Sequence, residues 1–404
     1  MIDKKNILLL LALGILFRII FANLIPPFTG NDEPAHLRYA QHILSEKRLP
    51  NANLYHDEGL AGNEYFQPPA YYTLAASMIF NNTDPFIQLQ ILRLLAIILW
   101  LITFYFAYKT LLVLKLPKSY SISILAFVSL LPTYIVNSST VTNDALAIPL
   151  ATVIIYYMIL WLKEKYLTYK KLSILAFLSA LTILVKLNGF ALVPGVILAI
   201  FYCEKGINSR FLTKTVVYSF LTFVLIFWWF FYNNLTYNNW FGPINISTAT
   251  FAKVPFNLYK IYLVLRGGFA TFWSAYGPAN EIRLPIFVYF GLLLITSYGV
   301  IGAIVYSIKT KLNRASSLIG WGHLTILLTV FIFNFALLLA LNIGQLQPLG
   351  RYLFISLLPI SIFFVIGIFF LTPVRLRKFI PHFLIILLIG LNILGINTLV
   401  HHYS

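Results

Sequence analysis

Two adjacent carboxylates, Asp32 and Glu33, open the segment Asn31-Asp-Glu-Pro-Ala-His-Leu-Arg-Tyr-Ala-Gln-His42. Neighbouring side chains at a helix start point in different directions, so one acid can cap or coordinate while the other faces a cavity. A carboxylate in a cavity can take a proton from a hydroxyl or hold a hard divalent cation. The plainer reading is a pair of acids at the positive end of a helix, with Thr29 or Asn31 as N-cap and Pro34 in the first turn. Against it stands concentration: seven of the chain's 12 acids lie between residues 32 and 84. That helix should end near Lys47, with His36, Arg38 and His42 toward its polar side. His36 and His42 share no helix face, and Cys203 is the single cysteine, so neither a zinc site of the usual spacing nor an internal disulfide is expected.

Glu64-Tyr-Phe-Gln67-Pro-Pro-Ala-Tyr71-Tyr72 follows, with Gln67 held extended by the proline after it. Further ionisable residues stand inside or at the edge of apolar runs, where charge is costly and tends to be functional or paired: Arg18, Arg93, Asp144, Lys186 and Arg351. Arg93 is near enough to a segment end to snorkel. Asn143-Asp144 suits a simple N-cap. Lys186, in Val185-Lys-Leu-Asn-Gly189, is either an exposed turn lysine or one buried in a cavity. Cations and carboxylates gathered at one membrane surface suit an anionic headgroup, a phosphate or diphosphate. The aromatics of Gly267-Gly-Phe-Ala-Thr-Phe-Trp273-Ser-Ala-Tyr-Gly277 either line a groove for a sugar or lipid chain or anchor the membrane interface.

The elements that must position these residues are membrane helices. Of 404 residues, 60% are hydrophobic and only 10% charged, and mean hydropathy is +0.84. A soluble chain would carry about a quarter charged residues. Eleven apolar segments are expected to span: 7–25, 88–108, 120–136, 143–162, 171–186, 188–202, 211–232, 284–308, 321–342, 351–371 and 380–399. The first reads as an uncleaved span, since no small-x-small cleavage site follows it. The stretch 69–80 is too short to cross a roughly 30 Å hydrocarbon core and reads as interfacial or re-entrant; an even number of spans is the alternative.

The net charge of +17 sets topology. Nucleic-acid binding would need a basic soluble module, which no stretch provides. Alternate connections are short and basic, and together with Lys4 and Lys5 they hold 18 of the 29 basic residues and only three acids. The positive-inside rule makes that set cytoplasmic, with the N-terminus inside and the C-terminus outside. The long segments 26–87 and 233–283 then form two outer loops of one membrane domain covering 1–404. Asn-x-Ser/Thr triplets start at Asn234 and Asn245. No phosphate-binding glycine motif follows a strand, and nothing supports a nucleotide, flavin or haem site.

Asn31–His36, Gln67–Tyr72, Asn143–Leu146 (Asn-Asp-Ala-Leu) and Gly350–Phe354 (Gly-Arg-Tyr-Leu-Phe), with Lys186–Gly189 and Phe272–Gly277, form an ordered set across the chain. In this set the chain resembles GT-C type membrane glycosyltransferases, the group of protein mannosyltransferases and aminoarabinose transferases, and most resembles an uncharacterised bacterial branch. The resemblance implies an all-α polytopic bundle with external interfacial helices. It also implies a polyprenyl-phosphate-linked sugar donor, a glycan, lipid or protein acceptor, and a plasma-membrane site on the outer face.

In that family an acid of the first outer loop, matching Asp32 or Glu33, orients or deprotonates the acceptor, with or without a divalent cation such as Mg or Mn. Lys186, Arg351 and Tyr352 are expected at the donor phosphate. His36, Arg38, Glu64, Gln67, Tyr71, Asp144 and Trp273 are expected to contact substrate. Gln67 stands where related aminoarabinose enzymes carry a charged residue. The chain ends soon after its last span, which favours a glycan or lipid acceptor over a folded protein. A transporter or flippase of polyprenyl-linked sugars is the alternative; an inverted repeat would favour it, and the hydropathy has none.

Overall fold

The computed structural model describes residues 4–51, 64–242, 255, 257–277, 281–312, 318–344 and 346–404. It is a helical membrane protein. Helix α1 is Lys4–Leu24, α2 Glu33–Glu46, α3 Ala70–Met78, α4 Pro85–Leu114, α5 Lys118–Leu130 and α6 Pro132–Asn137. There follow α7 (Asp144–Glu164), α8 (Tyr169–Val185), α9 (Leu192–Cys203), α10 (Ser209–Tyr237) and α11 (Leu258–Trp273). A two-residue hairpin, β1 (Ala275–Tyr276) with β2 (Ile282–Arg283), leads to α12 (Ile286–Leu312), α13 (Trp321–Gly344), α14 (Leu357–Leu371) and α15 (Ile380–Tyr403). A 3-10 turn, Gly350–Ser356, precedes α14.

Among the described residues, eight helices are long and apolar enough to cross a membrane: α1, α4, α7, α10, α12, α13, and the runs Gly350–Leu371 and Val374–Tyr403. The other three expected spans are also helical but shorter. The segment 120–136 is divided by Pro132 into α5 and α6, α8 has 17 residues, and α9 has 12. Short helices are tolerated at membrane depth when protein rather than lipid surrounds them. Every residue of α5 from Tyr120 onward and all of α6 are buried. The polar run after α6 satisfies itself, with Ser138, Ser139 and Thr140 hydroxyls donating to the carbonyls of Tyr134, Ile135 and Val136.

Helix α14 is held against α12 by backbone approach. A Cβ on Gly302 would lie 2.1 Å from the Gly367 carbonyl oxygen, so only glycine allows this crossing. Helices α10 and α12 expose large apolar side chains, such as Phe220, Phe223, Phe287 and Phe290, as lipid-facing helices do.

Helix α3, at nine residues, is only about 14 Å long and cannot span. It packs on α2 instead, with the Tyr39 and Tyr72 rings stacked 3.8 Å apart. Helix α2 ends at Lys47, in the left-handed region, as the sequence predicts. Its cap differs from expectation. Neither Thr29 nor Asn31 occupies the N-cap; Asp32 does, at φ 54°, and its carboxylate makes no capping bond. Acids tolerate this region better than most residues, but the conformation still carries strain of the kind found at functional sites.

Candidate functional site

Asp32 and Glu33 part company at the start of α2. Glu33 is fully buried and forms a two-point ion pair with Arg93 on α4, Nε to Oε1 at 2.9 Å and Nη2 to Oε2 at 2.6 Å. Its Oε1 also accepts from the Val141 amide at 3.0 Å. Arg93 fills its remaining donors with the carbonyls of Ala22, Ile25 and Pro26. Arg93 therefore does not snorkel, and Glu33, expected to share the base and ligand roles with Asp32, is turned into the scaffold. The pair staples α1, α2 and α4 and connects to the polar run before α7.

Asp32 turns the other way. Its Oδ2 accepts from Arg351 Nη2 at 2.7 Å; the Asp32 side chain is 46% exposed while that of Arg351 is 8% exposed. Burial works to raise the Asp32 pKa, but the charge and hydrogen bond of Arg351, with the Lys186 ammonium, hold it below the usual carboxylate value. This carboxylate is ionised and reachable.

One helical turn on, His36 brings its imidazole to the same place. Tyr72 on α3 sits 2.9 Å from Nδ1 and stacks on the ring, which leaves Nε2 for a ligand. Tyr71 meets the same ring edge-on. Burial drives the His36 pKa down to about 3, so the ring is neutral. Glu64 arrives from the segment before Pro68. Burial, and then the charge on Asp32, push its pKa up to about 8. Ligand atoms of Asp32, His36 and Glu64 lie within 4.8 Å of one another. Two carboxylates and a neutral imidazole suit a divalent cation with mixed oxygen and nitrogen preference. Burial disfavours the charged form of Glu64, a penalty that a cation held between these ligand atoms would offset, so the residues fit such an ion. The set differs from the expected Asp32 and Glu33. The i, i+4 spacing of Asp32 and His36 is the signal in the sequence for this set, whereas Glu64 joins it only through the fold.

A second ion pair lies alongside. Lys186 Nζ is 2.6 Å from Asp144 Oδ1, at the end of α8 and the start of α7. Lys186 is buried rather than an exposed turn lysine, and Asp144 is a charge partner rather than a simple cap. The ammonium also stands 5.1 Å from the Tyr352 ring centroid, beside Arg351. The Tyr352 hydroxyl donates to Gln347 at 2.9 Å, and the Tyr352 carbonyl accepts from Asn188 at 3.2 Å, tying the turn to the segment after Lys186. Asp32, His36, Glu64, Asp144, Lys186, Arg351 and Tyr352 thus form one polar centre, assembled from five parts of the chain.

Other expected residues fall outside it. Trp273 is buried between Phe127 and Phe364 as core. Arg38 is on the exposed face of α2. Gln67 is half-buried, and its carbonyl accepts from the Tyr39 hydroxyl at 3.2 Å. Arg18 has no carboxylate partner among the described residues. It donates to Ser138 Oγ and to the carbonyls of Gly14 and Ser129, under the Trp100 ring at 3.8 Å. Such a buried cation is carried by carbonyl dipoles and a π face. Part of the long segment 233–283, including Asn245, lies outside the described residues.

No family model and no curated protein matches the sequence. Solved structures match its fold. The aminoarabinose transferase ArnT from Cupriavidus metallidurans, bound to undecaprenyl phosphate, superposes with a TM-score of 0.55 at 11% identity, over 92% of this chain and 61% of that one. The Archaeoglobus fulgidus oligosaccharyltransferase in its apo form gives 0.59 at 12% identity, over 98% and 56%. The same enzyme tethered to an acceptor peptide gives 0.58 at 13%, over 98% and 55%. The chain therefore spans 55 to 61% of the length of these proteins. It has the fold of the GT-C type membrane glycosyltransferases.

Proposed function

We propose that the protein is a membrane glycosyltransferase that moves a sugar from a polyprenyl-phosphate-linked donor to a glycan, lipid or protein acceptor on the outer face of the plasma membrane. The observation that carries this reading is the juxtaposition of an ionised, accessible Asp32 with buried Arg351 and Lys186. Undecaprenyl phosphate in the ArnT structure and the acceptor peptide on the archaeal enzyme lend support, since both folds match this chain.

The chemistry is a displacement at the anomeric carbon. The acceptor hydroxyl attacks that carbon, the bond from it to the phosphate oxygen breaks, and polyprenyl phosphate leaves with the electron pair. The hydroxyl proton passes to Asp32. Arg351 and Lys186 stabilise the charge growing on the departing phosphate, and Tyr352 backs the lysine. Arg351 starts on Asp32 and is the natural partner of an incoming phosphate, so donor entry frees the carboxylate for the acceptor. Asp32, His36 and Glu64 would hold a divalent cation, Mg or Mn, which when bound supplies positive charge to orient acceptor or phosphate oxygens. Glu33 has no part in the step; it fixes the helix that carries Asp32.

Reconstitution in sealed liposomes with a panel of polyprenyl-phosphate sugars tests the reading against translocation. A transferase releases free polyprenyl phosphate and glycosylates the acceptor. Intact donor crossing the bilayer without release would assign the protein to transport instead.

A further inference from the structure

The turn that presents Arg351 is set by a helix of the second long loop. The Gly350 amide donates to Thr271 Oγ1 on α11 at 2.6 Å, and the Thr271 hydroxyl hydrogen goes to the Gly267 carbonyl at 2.7 Å. The backbones touch. A Cβ on Gly350 would lie 2.2 Å from the Gly268 carbonyl oxygen and 2.3 Å from the Phe272 nitrogen, and a Cβ on Gly267 would lie 2.7 Å from the Pro348 side chain. Gly267, Gly268, Thr271 and Gly350 are all buried. The residue after this contact is Arg351, whose Nη2 holds Asp32 and whose buried Nε has no partner among the described residues. On its other face α11 exposes Leu258, Tyr259, Tyr262 and Leu265.

We propose that Thr271 is a positioning residue. By accepting the Gly350 amide it fixes the backbone from which Arg351 reaches the Asp32 carboxylate and, on the reading given above, the donor phosphate. A buried amide has no second acceptor to turn to, so loss of the hydroxyl lets the turn shift. Displacements near 1 Å at a positioning group cost about a hundredfold in reactions that depend on alignment. Glycine at 350 and at 267 is explained by the same contact.

The test compares Thr271→Val, which keeps volume but removes the acceptor, with Thr271→Ser, which keeps it. With undecaprenyl phosphate as probe, Thr271→Val is expected to weaken binding about 10- to 100-fold and to raise donor KM more than it lowers kcat, with Thr271→Ser within about twofold of wild type. A second readout needs no donor. The coupling between Asp32→Asn and Arg351→Ala in thermal unfolding of the purified full chain is expected in wild type and with Thr271→Ser, and lost with Thr271→Val. Undiminished coupling with Thr271→Val overturns the positioning role. If that coupling is lost as expected but wild type binds no polyprenyl phosphate, the positioning role stands and the donor reading fails.

Discussion

Asp32 Oδ2 lies 2.7 Å from Arg351 Nη2, joining positions 319 residues apart in the chain. The contact joins the start of α2 to the turn before α14. Next to it in sequence, Glu33 pairs with a different arginine, Arg93, in full burial. Two neighbouring acids thus serve different ends, one accessible beside Arg351 and one in the scaffold.

That division has a direct consequence for mutants. Glu33→Gln breaks a buried pair and strands Arg93, so it should cost about 3–5 kcal/mol of stability, seen as a large fall in thermal unfolding temperature. Asp32→Asn removes a half-exposed carboxylate and should lower that temperature much less than Glu33→Gln does, while lowering transfer about a hundred- to ten-thousand-fold. An active, unstable Asp32→Asn protein and an inactive, stable Glu33→Gln protein would reverse the assignment.

The Lys186–Asp144 pair separates binding from folding in a second way. Lys186→Ala leaves Asp144 buried without its partner and should destabilise as well as weaken donor binding. Adding Asp144→Asn should restore most of the stability but none of the donor affinity. A double variant that regains both would make the pair purely structural.

Divalent cation affinity should depend on pH through Glu64. Asp32 is held ionised and His36 neutral through the range near neutrality, so Glu64, with its pKa near 8, is the group that must lose a proton. Affinity for Mn is expected to rise about tenfold per unit as pH climbs toward 8 and to level off above it. Electron paramagnetic resonance titration reads this, and Glu64→Gln should weaken binding and flatten the slope. A pH-independent affinity in wild type would remove Glu64 from the ligand set.

The orientation expected from the basic connections is open to direct labelling. In a Cys203→Ser background, cysteines placed at Lys47 and at Lys170 should react with a membrane-impermeant maleimide from opposite sides, Lys47 from outside intact cells. Labelling of Lys170→Cys from outside would invert the topology and move the polar centre to the cytoplasmic face.

The helical architecture was readable because hydrocarbon thickness imposes a length on apolar runs, and all eleven segments are helices. The division of 120–136 at Pro132 was less readable, since burial by protein rather than length keeps α5 and α6 in place. The ionisable residues were legible as anomalies of composition, but their partners were not. Nothing local tells that Arg93 belongs to Glu33 or that Lys186 belongs to Asp144; those pairings come from helix packing over 60 and 42 residues of separation. Trp273 shows the opposite failure, a residue whose type suits a sugar platform but whose helix face points into the core.

The most direct test of the central claim is single-turnover release of polyprenyl phosphate from a polyprenyl-phosphate sugar by the reconstituted full chain, wild type against Asp32→Asn. Release coupled one to one with sugar on the acceptor in wild type, and lost in the variant, is the expected result. Equal release in both would contradict the role of Asp32, and no release from any donor in wild type would contradict glycosyl transfer itself.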